Sequence, residues 1–199
     1  MAFGLERIDW SQPWFAGWRE LGTFASELVD TQGSVCSALN VVASEDAQSE
    51  SSLKFVPQTE LPVEQAYEAF IFANKRVPTR DNLHDFFNGL CWLRFPRTKS
   101  RLNYLQAKEI AAQGIGSTRG SLRDALTLFD ENVLLLQASD HLWHALQARD
   151  WKKLFLDLRQ EWQSAQIVTF GHALLEKLTA PYKSITAHVY RIASDVNAI

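Results

Sequence analysis

A chain of 199 residues, 46% hydrophobic and 22% charged, is long enough to bury a core without disulfide or metal staples. A net charge of −3 argues against a protein that coats nucleic acid through overall basicity, and two cysteines exclude a disulfide framework or an all-thiolate metal site. With no apolar stretch near the roughly 20 residues needed to span a bilayer, and no basic segment leading into an apolar run in MAFGLERIDW, a reducing, cytoplasmic setting without a membrane partner is expected.

In chain order, residues 13–29 repeat apolar side chains at helical spacing (Trp14, Trp18, Leu21, Phe24, Ala25, Leu28), and 34–42 continue as a second short helix. Residues 43–52 are acidic and serine-rich and read as an exposed loop. Residues 61–74 read as a helix with Pro62 in its first turn, broken at Val77-Pro78-Thr79. Asn82 caps the next helix, with Asp85 three positions on. Leu83, Phe86, Phe87, Leu90, Cys91 and Leu93 give that helix a broad apolar face, and Pro96 ends it. A helix at 102–113 leads into a glycine-containing turn, GIGSTRG.

Two short apolar runs, 126–129 and 133–136, flank Asp130-Glu131-Asn132 and suggest a β-hairpin, although runs this short also fit a helix. Helices then resume at 140–148, 150–165 and 169–178, with a tail helix from about 184. The fold expected is mainly α: a compact multi-helix domain with at most one small β-hairpin. It forms a single domain over 1–199, in which 1–60 supply N-terminal helices and a polar loop and 61–199 the core.

Several blocks carry a family resemblance. The run Val77-Pro78-Thr79-Arg80-Asp81-Asn82-Leu83-His84-Asp85-Phe86-Phe87-Asn88, with Trp92, Phe95-Pro96-Arg97-Thr98-Lys99 and Leu102-Asn103, resembles the bacterial family called domain of unknown function 3025. The stretch from Arg123 to Asn132 is similar to its second block, and Phe170-Gly171-His172 through Leu178 to its third. The family pattern has Gly where this chain has Val133. The resemblance implies no activity; it marks which residues to weigh.

Charge is uneven. Ten Lys and Arg against three acids between Lys75 and Arg123 give that stretch +7 and leave −10 for the rest. Arg80, Arg97 and Lys99 are therefore candidates to bind an anionic small molecule; the other reading is a solvated face neutralised by acidic neighbours. The basic segment 95–101, beside Trp92 and Tyr104, could also grip a single strand, so nucleic acid stays open, although no nucleic-acid-binding motif supports it. Basic side chains near a helix end also serve simply to complement the dipole.

The candidate catalytic residues are His84, Asp85, His172 and Glu176. His172 and Glu176 are spaced i,i+4, and a His with a carboxylate suits proton transfer or metal binding. Asn88 shares a helix face with His84; His188, Asp130 and Glu131 add nitrogen and oxygen donors, so a divalent metal stays open as cofactor. Against this, His–Glu pairs are common on solvated helices, Asp85 suits a helix N-terminus, and no HExxH-type motif occurs. Cys91 lies on an apolar face where a thiolate is costly. Two functions remain: a cytoplasmic enzyme of hydrolase type with a His/carboxylate site, or a non-catalytic binding module for an anionic ligand, nucleic acid or protein partner. They differ in whether the three blocks converge in one cleft.

Overall fold

A computed structural model describes residues 3–45, 53–114 and 120–193. Most of the acidic loop at 43–52 and of the GIGSTRG turn lies outside the described residues. The helices are α1 (Arg19–Gln32), α2 (Val35–Glu45), α3 (Tyr67–Asn74), α4 (Leu83–Arg94), α5 (Pro96–Gln113), α6 (Ser121–Asn132), α7 (Asp140–Gln147) and α8 (His172–Lys177). The strands are β1 (Lys54–Pro57), β2 (Arg76–Thr79), β3 (Val133–Gln137), β4 (Gln166–Thr169) and β5 (His188–Arg191). No described helix is long and apolar enough to cross a membrane.

Helix α4 is the centre of the core. Phe86, Phe87, Leu90 and Cys91 are each 0% exposed, and each such side chain stabilises the fold by about 1.5–3 kcal/mol through burial. Its start is set locally: Asn82 Oδ1 accepts from the Asp85 backbone N–H at 2.8 Å, the capping that the sequence anticipates. One hydrophobic cluster runs from Ile8 to Leu175. Phe15, ahead of α1, stacks on Phe87 with ring centroids 6.0 Å apart. Trp18 donates its indole N–H to the Thr169 carbonyl at 3.0 Å. The N-terminal helices thus pack directly on the elements that carry the later blocks.

Val77-Pro78-Thr79 does more than break a helix: it forms β2, parallel to β1, with Val56 opposite Pro78. A two-stranded sheet tolerates this proline because its missing N–H can face away from the one partner. The amide of Asn40 brackets β1, donating to the Phe55 carbonyl and accepting from its N–H.

The expected hairpin near 125–136 is not formed. Residues through Asn132 continue as α6, and only 133–137 is a strand. Leu126 is buried and Phe129 packs on the core, a helical i,i+3 spacing, while buried Asp130 is tolerated in the helix because Lys99 pairs with it. Strand β3 finds its partners elsewhere: antiparallel β4, with Leu134 opposite Thr169, and parallel β5, with Val133 opposite His188. The tail helix from about 184 is likewise replaced by β5, and the helix expected at 169–178 begins at His172, after β4. Residues 150–165 coil less regularly than expected, through a widened turn in which Leu158 N–H donates to the Lys153 carbonyl at 2.8 Å. The chain is mainly α, with two small sheets among the described residues in place of one hairpin.

Candidate active site

His84 lies in the first turn of α4 and His172 is the first residue of α8, and these two helices pack together. The imidazole rings meet edge to face with centroids 4.6 Å apart, and their Nε2 atoms are separated by 3.2 Å. The other nitrogen of each ring is engaged. His84 Nδ1 lies 3.0 Å from Glu176 Oε2, and His172 Nδ1 lies 2.9 Å from the backbone carbonyl of Asp130. A carbonyl and a carboxylate only accept, so both Nδ1 atoms carry hydrogen. Both Nε2 lone pairs then point into one small space. Two facing acceptors repel, and a single cation between them, a proton or a metal ion, is what removes the conflict.

Local sequence explains how His172 is aimed. A Cβ added at Gly171 would meet Glu131 O and Asn132 N at 2.5 Å. Glycine there lets the start of α8 lie against the end of α6, and Phe170 and Gly171 N–H both donate to the Val133 carbonyl. His172 is 4% exposed, and burial above all, helped by repulsion from Lys99 and His84 and opposed by the pull of Asp130, brings its pKa down to about 4. His84 and Glu176 are half-buried.

The pair opens on a cavity of about 480 Å³ bounded by α3, α4, α5, α6 and α8, a volume suited to a small-molecule ligand. A hydrogen-bonded chain centred on Lys99 ties together three of its lining residues, Asp130, Asn88 and Tyr67. Lys99 Nζ binds both Asp130 oxygens, at 2.5 and 2.7 Å, and donates to Asn88 Oδ1 at 2.8 Å. Asn88 Nδ2 in turn donates to the Tyr67 hydroxyl at 3.1 Å. The Tyr67 oxygen therefore accepts, and its own proton is left to donate. Burial, reinforced by the charge of Glu68, raises the Tyr67 pKa well above the ordinary phenol value and keeps that proton in place. Burial also raises the Glu68 carboxyl against the opposing hydrogen bond from Asn103. On the wall, Arg123 lines the cavity with its Nε shielded from solvent and lacking a hydrogen-bond partner among the described residues.

Of the four residues singled out as catalytic, His84, His172 and Glu176 form one hydrogen-bonded row. Asp85 lines the same cavity, but its carboxylate is taken up by Arg80, accepting from the backbone N–H at 2.6 Å and from the guanidinium at 2.9 and 3.1 Å. The anticipated cluster of Arg80, Arg97 and Lys99 is not assembled. Lys99 points inward to Asp130, whereas Arg97, two positions away on α5, is exposed and borders a separate surface depression. Arg80 alone reaches the cavity. The i,i+2 spacing on a helix turns Arg97 and Lys99 to different sides. His188 is exposed on β5 and does not line the cavity. Cys91 is buried, its thiol donating to the Phe170 carbonyl at 3.1 Å and its pKa pushed up by burial, so it offers no nucleophile.

Tyr67 and Arg123 were not singled out from the sequence as site residues. Tyr67 stands among apolar residues (Ala66, Phe70, Ile71) in its own stretch of chain, and nothing there reveals the Asn88 contact. Among the described residues, no group of three or more His, Cys, Asp or Glu side chains is arranged to hold a metal ion. The His84–His172 pair supplies two converging nitrogens.

This is a mainly helical protein whose linked blocks meet around one polar cavity. The chain belongs to the family described as "Protein of unknown function (DUF3025)", whose model matches residues 53–199. That match takes in β1 and all the cavity-lining residues named above and begins after α2. Among curated proteins and solved structures, nothing matches the chain.

Proposed function

We propose that the protein is a cytoplasmic enzyme of hydrolase type whose reaction takes place at the His84–His172 pair. One observation carries this reading: two imidazoles, each anchored through Nδ1, turn their Nε2 edges toward one another at the wall of a polar cavity. Glu176 acts as a positioning residue that sets the tautomer and orientation of His84. Its carboxylate faces the imidazole as the third member of an acid–base row. Tyr67 lines the same cavity, and its hydroxyl, backed by Asn88 and Lys99, is a fixed donor suited to an oxygen on which negative charge develops. The free Cys36 and Cys91 thiols suit a reducing cytoplasm.

The test is a screen of the purified chain against chromogenic carboxylic esters, phosphoesters and amides. A substrate turned over by the wild type should lose at least about 100-fold in turnover in His84→Gln, the usual contribution of general acid–base catalysis. Turnover that no substrate shows, or that His84→Gln retains, overturns the reading. The unpartnered Nε of Arg123 favours a second reading, a module that binds an anionic ligand without turning it over. Thermal stabilisation by a carboxylate or phosphate compound, lost in Arg123→Met and accompanied by no turnover, would select it.

A further inference from the structure

We infer that the His84–His172 pair is a binding site for a divalent transition-metal ion of the zinc or cobalt class. The inference rests on the reading of this pair as the reactive centre and names the cation that joins it. Three features of the geometry support it together.

The first is the separation. Two imidazole nitrogens bound at about 2.0–2.1 Å to one tetrahedral ion stand roughly 3.3 Å apart. The two Nε2 atoms are 3.2 Å apart, so ligation requires almost no movement of either ring. The second is the tautomer. Both Nδ1 atoms face acceptors, Glu176 Oε2 and the Asp130 carbonyl, which leaves both Nε2 atoms with free lone pairs. A histidine that holds a metal through one nitrogen almost always donates the other N–H to a carboxylate or carbonyl, and here the two histidines use one of each. The third is access. Both rings line the cavity, so an ion seated between them keeps its other positions for water or a substrate oxygen. No third His, Cys, Asp or Glu completes a set among the described residues, so the ion is held by two protein ligands and exchanges readily.

The experiment is calorimetric titration of the chelator-treated full chain with Zn²⁺. It is paired with visible absorption of the Co²⁺ complex. One equivalent per chain and the intense visible bands of a four-coordinate Co²⁺ site are expected. His84→Ala should abolish saturable binding, and Glu176→Gln should weaken it about 10–100-fold, as loss of a partner behind a ligand does. His84 is half-buried, and circular dichroism of both variants checks that they are folded. The inference is overturned if the wild type shows no saturable binding or if His84→Ala binds equally well. Turnover that persists in chelator and depends on His84 would remove the metal while leaving the enzyme reading intact. Stoichiometric, His84-dependent binding without turnover of any screened substrate would do the reverse.

Discussion

Asp130 joins Lys99 to His172 through two different groups: its carboxylate oxygens lie 2.5 and 2.7 Å from Lys99 Nζ, and its backbone carbonyl lies 2.9 Å from His172 Nδ1. Lys99 is 3% and Asp130 9% exposed. The pair is buried, so its energetic consequence is asymmetric. Removing one partner strands a charge, whereas replacing both need not destabilise. Lys99→Met should cost about 3–5 kcal/mol in urea unfolding, and Lys99→Met with Asp130→Leu should recover most of it. Equal costs for the single and double variants would show that a stranded charge is not the source of the loss.

Gly171 is the close-approach position of the site. Its Cβ-less surface lies against Glu131 and Asn132 backbone atoms, which cannot rotate away as a flexible side chain would. Gly171→Ala should destabilise the chain by about 1–3 kcal/mol, the usual cost of overpacking. It should also push α8 off α6, breaking the His172–Asp130 contact. Chemical shifts of the His172 imidazole in this variant, compared with the wild type, report the displacement; unchanged shifts would contradict it.

His172 gives a pH dependence of definite sign in the metal-free chain. Its folded pKa, about 4, is below the ordinary value of 6.5. Between those values the unfolded chain binds a proton that the folded chain refuses, so stability rises with pH across that interval. Full stability is present above about pH 6.5 and is lost progressively as pH falls toward 4. The shift corresponds to about 3 kcal/mol. NMR titration of the His172 ring in chelator should give a midpoint near 4, and a midpoint at the ordinary histidine value would rule the burial effect out.

Tyr67→Phe removes the hydroxyl that Asn88 binds on a residue that lines the cavity. The loss in stability should be about 1–3 kcal/mol, the cost of leaving the Asn88 donor unpaired. On any substrate found in the screen, a tenfold or greater fall in kcat with KM little changed is the expected signature of a donor that acts in the transition state. A change confined to KM would assign Tyr67 to ground-state binding.

What the sequence determined by itself lies mostly within single turns of helix and in composition. Asn82 ahead of Leu83-His84-Asp85 specifies the start of α4, because a capping side chain and the N–H it receives are three positions apart. The mainly helical character follows from apolar spacing in the same way, and free cysteines follow from their number and context. That His84, His172 and Glu176 are polar residues on helices is legible, as are the three blocks that carry the family. Tertiary structure decided what those residues meet. Whether 133–137 pairs with its neighbour or with 166–169 and 188–191 depends on strands remote in sequence, and local periodicity carries no information about them. Lys99 and Arg97 look alike in a charge count, yet one is buried against Asp130 behind the cavity wall and the other is exposed to solvent. The convergence of two Nε2 atoms to 3.2 Å likewise arises only where α8, freed of a side chain at Gly171, packs between α4 and α6. Hydrogen-bond chemistry of this kind is short-ranged in space and indifferent to separation along the chain, so it exists only once the fold has brought the partners together.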